Sequence, residues 1–199
     1  MNPTPRAAKT AWIAVALIAF AGSADPAEPD RAGSGEVPIC LSTLELDPGR
    51  AGPEPVRPPV RVRIRYRAVS LGAETLEAMR ANPRARAFYN ARVLRRLVQL
   101  TTDVPLLVGK VRLEPGTHDA GFRNQSEGRW HFLVLDREGR PQVDVPLAVT
   151  RAEAEIPCLN VSLLPGTEHA HILLAARYGT LRGSVVLAVA DRDRTAPVK

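Results

Sequence analysis

The sequence predicts a mainly β fold, an antiparallel β-sandwich of about 8–9 short strands with one or two short helices capping one end. Residues 60–68 alternate strictly between apolar and arginine side chains, which is the period of a half-buried strand. From Leu97 onward, turn signals separate short apolar segments roughly every eight to twelve residues, the spacing of an all-β domain. A helical pattern is confined to residues 70–94.

The composition is that of one globular domain. The chain has 199 residues, of which 45% are hydrophobic and 5% aromatic. That length supplies one sizeable core and too little chain for two ordinary ones. Collagen, coiled-coil and multi-span membrane classes are excluded, and the 18 prolines and 14 glycines indicate many turns.

The first residues predict an export signal. Arg6 and Lys9 precede an uncharged apolar stretch, 11–21, that is shorter than the roughly 20 residues of a membrane span. Small residues place cleavage after Ala21 or Ala24, and an uncleaved N-terminal anchor is the alternative. No cysteine follows either position, so we expect no lipid anchor. The mature domain is predicted to be periplasmic or secreted, of bacterial origin, and not to span the membrane.

Changes in composition divide the chain into four segments. Residues 1–24 are the predicted signal peptide, and residues 25–59 a flexible proline-rich leader with one short strand within 37–46. Residues 60–190 are the predicted β-sandwich domain, and residues 191–199 a frayed tail.

The mature chain is only mildly basic. The net charge of +6 falls to +4 when Arg6 and Lys9 are removed with the signal. The 24 arginines against 3 lysines, with abundant Ala, Pro and Gly, are typical of a GC-rich genome. The motifs and interleaved aromatic residues of nucleic-acid-binding proteins are missing, so no nucleic-acid partner is predicted.

Two cysteines remain after export, Cys40 and Cys158. An oxidising compartment favours a disulfide between them. Closing so long a loop would stabilise the fold by roughly 4–5 kcal/mol in the chain-entropy model. Two buried free thiols are the alternative.

Four arginines lie on one face of the predicted strand at residues 60–68. Arg61, Arg63, Arg65 and Arg67 alternate with apolar residues that face the core. Their charges repel unless acidic side chains or an anion lie across the neighbouring strand. One interpretation is an anion-binding site for lipid phosphates or an acidic polymer. The other is a solvated or cross-strand-paired face that protects a sheet edge from aggregation.

Residues 70–94 predict the helical cap. Ser70 is placed to cap a helix over 73–80, whose early acidic residue suits a helix N-terminus. The break at residues 82–83 ends it, and a second helical segment runs to about Leu94, followed by a strand at 97–102. A basic amphipathic helix on a membrane is the alternative, but two short helices with scattered arginines are more typical of a cap over one end of a sheet.

The rest of the chain predicts the remaining strands of the sandwich. Glu138 and Gly139 form the turn of one predicted hairpin. The predicted strands cover residues 104–108, 111–113, 117–122, 130–136, 143–149, 158–164, 169–178 and 184–190.

Three segments resemble a known protein family. Residues 62–67 resemble its opening strand, residues 103–118 its hairpin and Pro-x-Gly-Thr-Tyr turn, and residues 130–135 its next strand, led by a tryptophan. Over about residues 60–190 the chain is thus similar to an exported bacterial domain-of-unknown-function family, number 2911, which implies a β-sandwich. This chain has His118 where the family has tyrosine, and residues 93–99 replace its Trp-Arg-x-Gly-Ala-Asn-Glu segment, so no ligand site is implied there.

Histidines form the one constellation with a chemical interpretation. His169 and His171 would project from one face of a strand, with His118, His131, Glu168 or Asp119 as a third ligand. Such a set suits zinc or copper. Solvated loop histidines are the alternative.

The usual catalytic motifs are missing from the sequence, including the nucleophile elbow, the phosphate-binding loop and the His-Glu-x-x-His motif. We therefore expect an exported, non-catalytic β-sandwich without a cofactor, which binds a partner, a small ligand or an envelope component. The alternative function is a metal-binding domain, with or without enzymatic activity, built on the His-x-His strand.

Overall fold

Strand alternation and turns fold this chain into two antiparallel sheets. In the computed structural model, residues 39–46, 59–126, 129–168 and 170–190 are described. The predicted signal peptide, most of the leader, His169 and the tail at 191–199 lie outside those residues. The described part of the chain belongs to one compact unit, residues 36–199.

The first sheet has six strands in the order β1-β2-β3-β6-β7-β8. Their bounds are β1 Ile39–Leu46, β2 Val60–Arg67, β3 Val98–Thr102, β6 Gly116–Ser126, β7 Arg129–Leu135 and β8 Pro141–Pro146. The second sheet has the order β5-β4-β10-β9. Its strands are β4 Leu106–Val108, β5 Val111–Leu113, β9 Ala148–Pro165 and β10 His171–Val189. The predicted sandwich is confirmed, with ten strands in the described residues.

The core lies between the two sheets. On β2, Val62, Ile64 and Tyr66 are buried, as their alternation with arginine predicts. Trp130 of the first sheet packs on Tyr178 of the second with ring centroids 4.6 Å apart. These large side chains fill the space between the sheets and join them.

The helical cap consists of α1 Ala73–Ala81, α2 Pro83–Phe88 and a π-helical turn, Tyr89–Leu94. The prediction that Ser70 caps α1 is wrong. Ser70 instead forms a β-bridge with Cys158, and the N-cap position is Gly72. The Glu155 carboxylate of β9 accepts the first helical N–H, that of Ala73, at 2.9 Å. A contact so distant in sequence leaves no local capping pattern.

The cap covers an edge of β6 that β3 leaves unpaired. β3 pairs with β6 only along residues 116–120. Beyond that, the Asn90 side chain donates to the Asn124 carbonyl at 2.7 Å and accepts the Asn124 N–H at 2.9 Å. The π-helical turn thus continues the hydrogen bonding of the sheet edge.

The last two predicted strands, 169–178 and 184–190, merge into β10, and the predicted strand at 158–164 is the end of the longer strand β9. β9 has 18 residues and β10 has 19, and their pairing shifts register on either side of Gly179. Gly179 has a φ of 52°, in the left-handed region that favours glycine. A glycine bulge therefore lies within β10, where the sequence predicts a break between 178 and 184.

The predicted disulfide is not formed, because Cys40 and Cys158 are both free thiols. Cys40 lies in phase with the buried Leu44 of β1, whereas Cys158 is exposed next to the buried Leu159 of β9. Since alternate side chains on a strand face opposite sides, Cys158 faces away from the core that Cys40 borders. The similar flanking residues of the two cysteines do not reveal this difference in phase.

Candidate functional site

The four predicted arginines lie exposed on the outer face of the first sheet. Their register partners on the edge strand β1 are Glu45 for Arg61, Thr43 for Arg63, Leu41 for Arg65 and Ile39 for Arg67. On the other side, β3 places Thr101 and Gln99 opposite Arg63 and Arg65. Because the Cα atoms of alternate residues on a strand are about 7 Å apart, the four arginine side chains project from the sheet in an evenly spaced row.

Of these four arginines, only Arg61 has an acidic partner among the described residues. Its Nε lies 2.7 Å from Glu45 Oε1, and its main-chain N–H donates to the Asp103 carboxylate at 2.9 Å. In the same described ranges, Arg63, Arg65 and Arg67 have no carboxylate within the 4.0 Å of an ion pair. Cross-strand pairing therefore neutralises one end of the row and leaves three adjacent positive charges.

Two large apolar side chains are exposed beside these charges. Ile39 is 57% exposed and Leu41 is 62% exposed, and both lie on the strand next to Arg67 and Arg65. Leu41 is the most exposed of the large apolar residues in the described chain. We call the surface formed by Ile39, Leu41, Arg63, Arg65 and Arg67 the basic face; it combines cationic and apolar groups.

The predicted histidine site is not assembled by the three histidines that the structure describes. His118 Nε2 lies 2.8 Å from the Glu114 carbonyl, and His171 Nδ1 lies 3.4 Å from a Glu168 oxygen. His131 Nδ1 lies 2.7 Å from Asp144 Oδ1. His118 and His131 are on different strands, with their side chains in opposite phase across the β6–β7 pairing.

A metal site at the His-x-His strand stays a prediction because His169 lies outside the described residues. Within those residues, no group of three or more His, Cys, Asp or Glu side chains is arranged to hold a metal ion.

Asp144 forms the centre of a small polar cluster that the sequence does not predict. Its carboxylate accepts one hydrogen bond from the Arg123 guanidinium and pairs with His131, on the outer face of the first sheet. These three residues come from three consecutive strands in the sheet, β6, β7 and β8. Their spacing along the chain follows no known motif, so only the strand register brings them together.

A cleft that the sequence does not predict lies between the helical cap and the end of the sandwich. Its volume is about 400 Å³. Asn124 lines it, although the sequence around this residue reads as a polar loop. The lining residues are Ala73, Leu76, Glu77, Arg80, Asn124, Trp130, Arg151, Thr180 and Leu181. They come from α1, β6, β7, β9 and β10, so no local pattern marks the cleft.

Comparison of the chain with protein-family models, with curated proteins and with solved structures gives no match. The resemblance to family 2911 therefore stays a prediction. The described helices include none that is both long enough and apolar enough to cross a membrane.

Proposed function

We propose that this is an exported, non-catalytic β-sandwich that binds the anionic lipid surface of the cell envelope through its basic face. The observation that carries this proposal is the row of three arginines without acidic partners among the described residues, bordered by exposed Ile39 and Leu41. The sheet holds these groups on rigid backbone, so binding requires no folding step.

The charges account for most of the expected binding energy. A basic side chain near an anionic leaflet contributes about 1 kcal/mol, so three arginines contribute about 3 kcal/mol. Arg61 adds less because Glu45 already pairs with it. Since exposed charges are screened by salt, binding should weaken as ionic strength rises.

The apolar residues favour a lipid surface over a soluble acidic polymer. Ile39 and Leu41 are more than half exposed to water. A polyanion offers phosphate, carboxylate or sulfate groups but little that would cover two aliphatic side chains. At a lipid surface, such side chains enter the boundary between headgroups and acyl chains while arginine binds phosphate. The proposal therefore commits to phosphate-bearing lipid.

Vesicle binding of an arginine variant tests the proposal. The protein recovered after export is compared with the triple variant Arg63→Gln, Arg65→Gln, Arg67→Gln on vesicles with and without phosphatidylglycerol. We expect the variant to bind the anionic vesicles on the order of 100-fold more weakly. The matched control is Arg84→Gln, Arg92→Gln, Arg182→Gln, which removes the same charge from exposed positions elsewhere.

Equal loss in the two triple variants would attribute binding to net charge and contradict the proposal, as would unchanged binding of the first variant. A double variant, Ile39→Ser and Leu41→Ser, distinguishes an anionic lipid surface from a soluble acidic polymer as the binding partner. It should weaken vesicle binding and leave binding to a soluble polyanion such as polyphosphate unchanged. If the double variant binds vesicles as tightly as the native protein, the lipid proposal is contradicted and a soluble acidic polymer becomes the favoured partner.

A further inference from the structure

The cleft under α1 has the dimensions of a small-molecule site. Its volume of about 400 Å³ falls at the lower end of the range for ligand pockets. Leu76, Trp130 and Leu181 supply apolar lining. Gly179 keeps α1 close to the end of the sheet, because a Cβ there would lie less than 3.0 Å from the Leu76 side chain. The cleft is thus formed by packed elements of the fold.

One polar side chain of this cleft has no hydrogen-bond partner among the described residues. Asn124 is 7% exposed and lines the cleft. Its main-chain N–H and carbonyl are both bonded to Asn90, but its own carboxamide has no hydrogen-bond partner in the described part of the chain. Among the described residues, the fully buried side-chain atoms without a partner are Arg123 Nε and Tyr178 Oη, so the Asn124 carboxamide is accessible from the cleft. Its N–H groups are therefore available to a ligand in the cleft.

The charges around the cleft favour a monoanion. Arg80 and Glu77 form an ion pair at 2.9 Å, and Arg80 lowers the pKa of Glu77, so both are charged at neutral pH and cancel. Arg151 has no carboxylate within ion-pair distance among the described residues. The N-terminus of α1 is already occupied by the Glu155 carboxylate. Arg151 is therefore the one cationic side chain of the lining without an ionic partner in the described residues, since the Glu155 carboxylate is engaged with the helix N-terminus.

We infer that this cleft binds a small organic carboxylate with a compact apolar body. The Arg151 guanidinium and the Asn124 amide N–H groups donate to the carboxylate, and Leu76, Trp130 and Leu181 contact the apolar part. Guanidinium and amide donors together match the two oxygens of a carboxylate. This site is separate from the basic face, which lies on the outer surface of the first sheet, and either can fail without the other.

Nuclear magnetic resonance titration tests the inference. Phenylacetate is added to the ¹⁵N-labelled protein, and the indole N–H of Trp130 and the side-chain amide of Asn124 report on the cleft. We expect saturable shifts of both signals. Phenylacetamide, which has the same shape without the charge, should bind at least about tenfold more weakly than phenylacetate.

Two variants and a matched control locate the binding. Asn124→Leu and Arg151→Gln should each weaken phenylacetate binding about tenfold. Arg182→Gln, an exposed arginine of the same sheet that does not line the cleft, should leave it unchanged. Arg151 is exposed, so its variant tests the site even if Asn124→Leu fails to fold. The triple variant of the basic face should bind phenylacetate normally.

The inference would be overturned by the lack of a saturable shift at millimolar phenylacetate, or by equal binding of the acid and the amide. Native-like binding by Arg151→Gln would do the same.

Discussion

At the scale of single residues, Asp136 organises the turn between β7 and β8. Its carboxylate accepts the N–H groups of Glu138 at 2.9 Å and Arg140 at 2.8 Å, and its main-chain N–H donates to the Arg140 carbonyl. Gly139, with a φ of 80°, completes the turn. The sequence predicts the turn from Glu138 and Gly139, and the structure adds the aspartate that holds it.

Replacing Asp136 should make stability less dependent on pH. The Arg140 main-chain N–H is the largest cause that lowers the pKa of Asp136 below its ordinary value of about 3.9. A lowered folded-state pKa stabilises the fold above the unfolded pKa, and this contribution is lost as pH falls through the folded pKa. Asp136→Asn should therefore melt at a lower temperature than the native protein at pH 7.

The same difference in melting temperature should shrink as pH falls below 4. Thermal unfolding followed by circular dichroism from pH 7 to about pH 3 measures it. The exposed Asp119, which accepts no hydrogen bond in the described part of the chain, gives the control variant Asp119→Asn. A gap between Asp136→Asn and the native protein that stays constant with pH would contradict the role given to the carboxylate.

At the scale of elements, the contact between the helical cap and β6 depends on Gly121. A Cβ at this position would lie less than 3.0 Å from the main-chain carbonyl oxygens of Leu94 and Arg95. Backbone atoms cannot move aside as the end of a flexible side chain can. The close approach of the π-helical turn to the sheet therefore requires a residue without a side chain here.

Gly121→Ala should displace the cap and destabilise the fold by about 1–3 kcal/mol. The free energy of unfolding by urea measures this change. Gly72→Ala is the matched control, because its Cβ would lie 3.7 Å from the nearest atom, an ordinary contact. The control should cost less than about 1 kcal/mol. Equal losses in the two variants would show that the close approach at Gly121 does not limit stability.

Elements with a strong local pattern were predictable from the sequence, and those fixed by distant contacts were not. The alternation at residues 60–67 places the arginines outside and Val62 and Ile64 in the core, as observed. The continuity of β10 through residues 178–184 depends on the bulge at Gly179, where the sequence predicts a break between two strands. The cap on α1 comes from Glu155, 82 residues away from Ala73. Distant pairings of this kind leave no local signature.

At the scale of the whole molecule, the proposed binding to an anionic surface depends on where the charges lie more than on the net charge. The net charge of +6 is modest for 199 residues. Three arginines lie together on one face of the first sheet. The neighbouring strand β1 places the exposed side chains of Ile39 and Leu41 beside them. The sequence predicts the row of arginines. The apolar border follows only from the pairing of β1 with β2, because the phase of β1 is set by that register.

Depth-sensitive fluorescence determines whether the basic face enters lipid. Leu41→Trp places an indole in this face, and Val186→Trp places one on the second sheet, at a residue that is 46% exposed. With phosphatidylglycerol vesicles, the emission of Leu41→Trp should shift to shorter wavelength, and high salt should reverse the shift. Val186→Trp should not respond. Equal shifts from both positions, or no shift at position 41 while the protein is bound, would contradict docking of the basic face onto lipid.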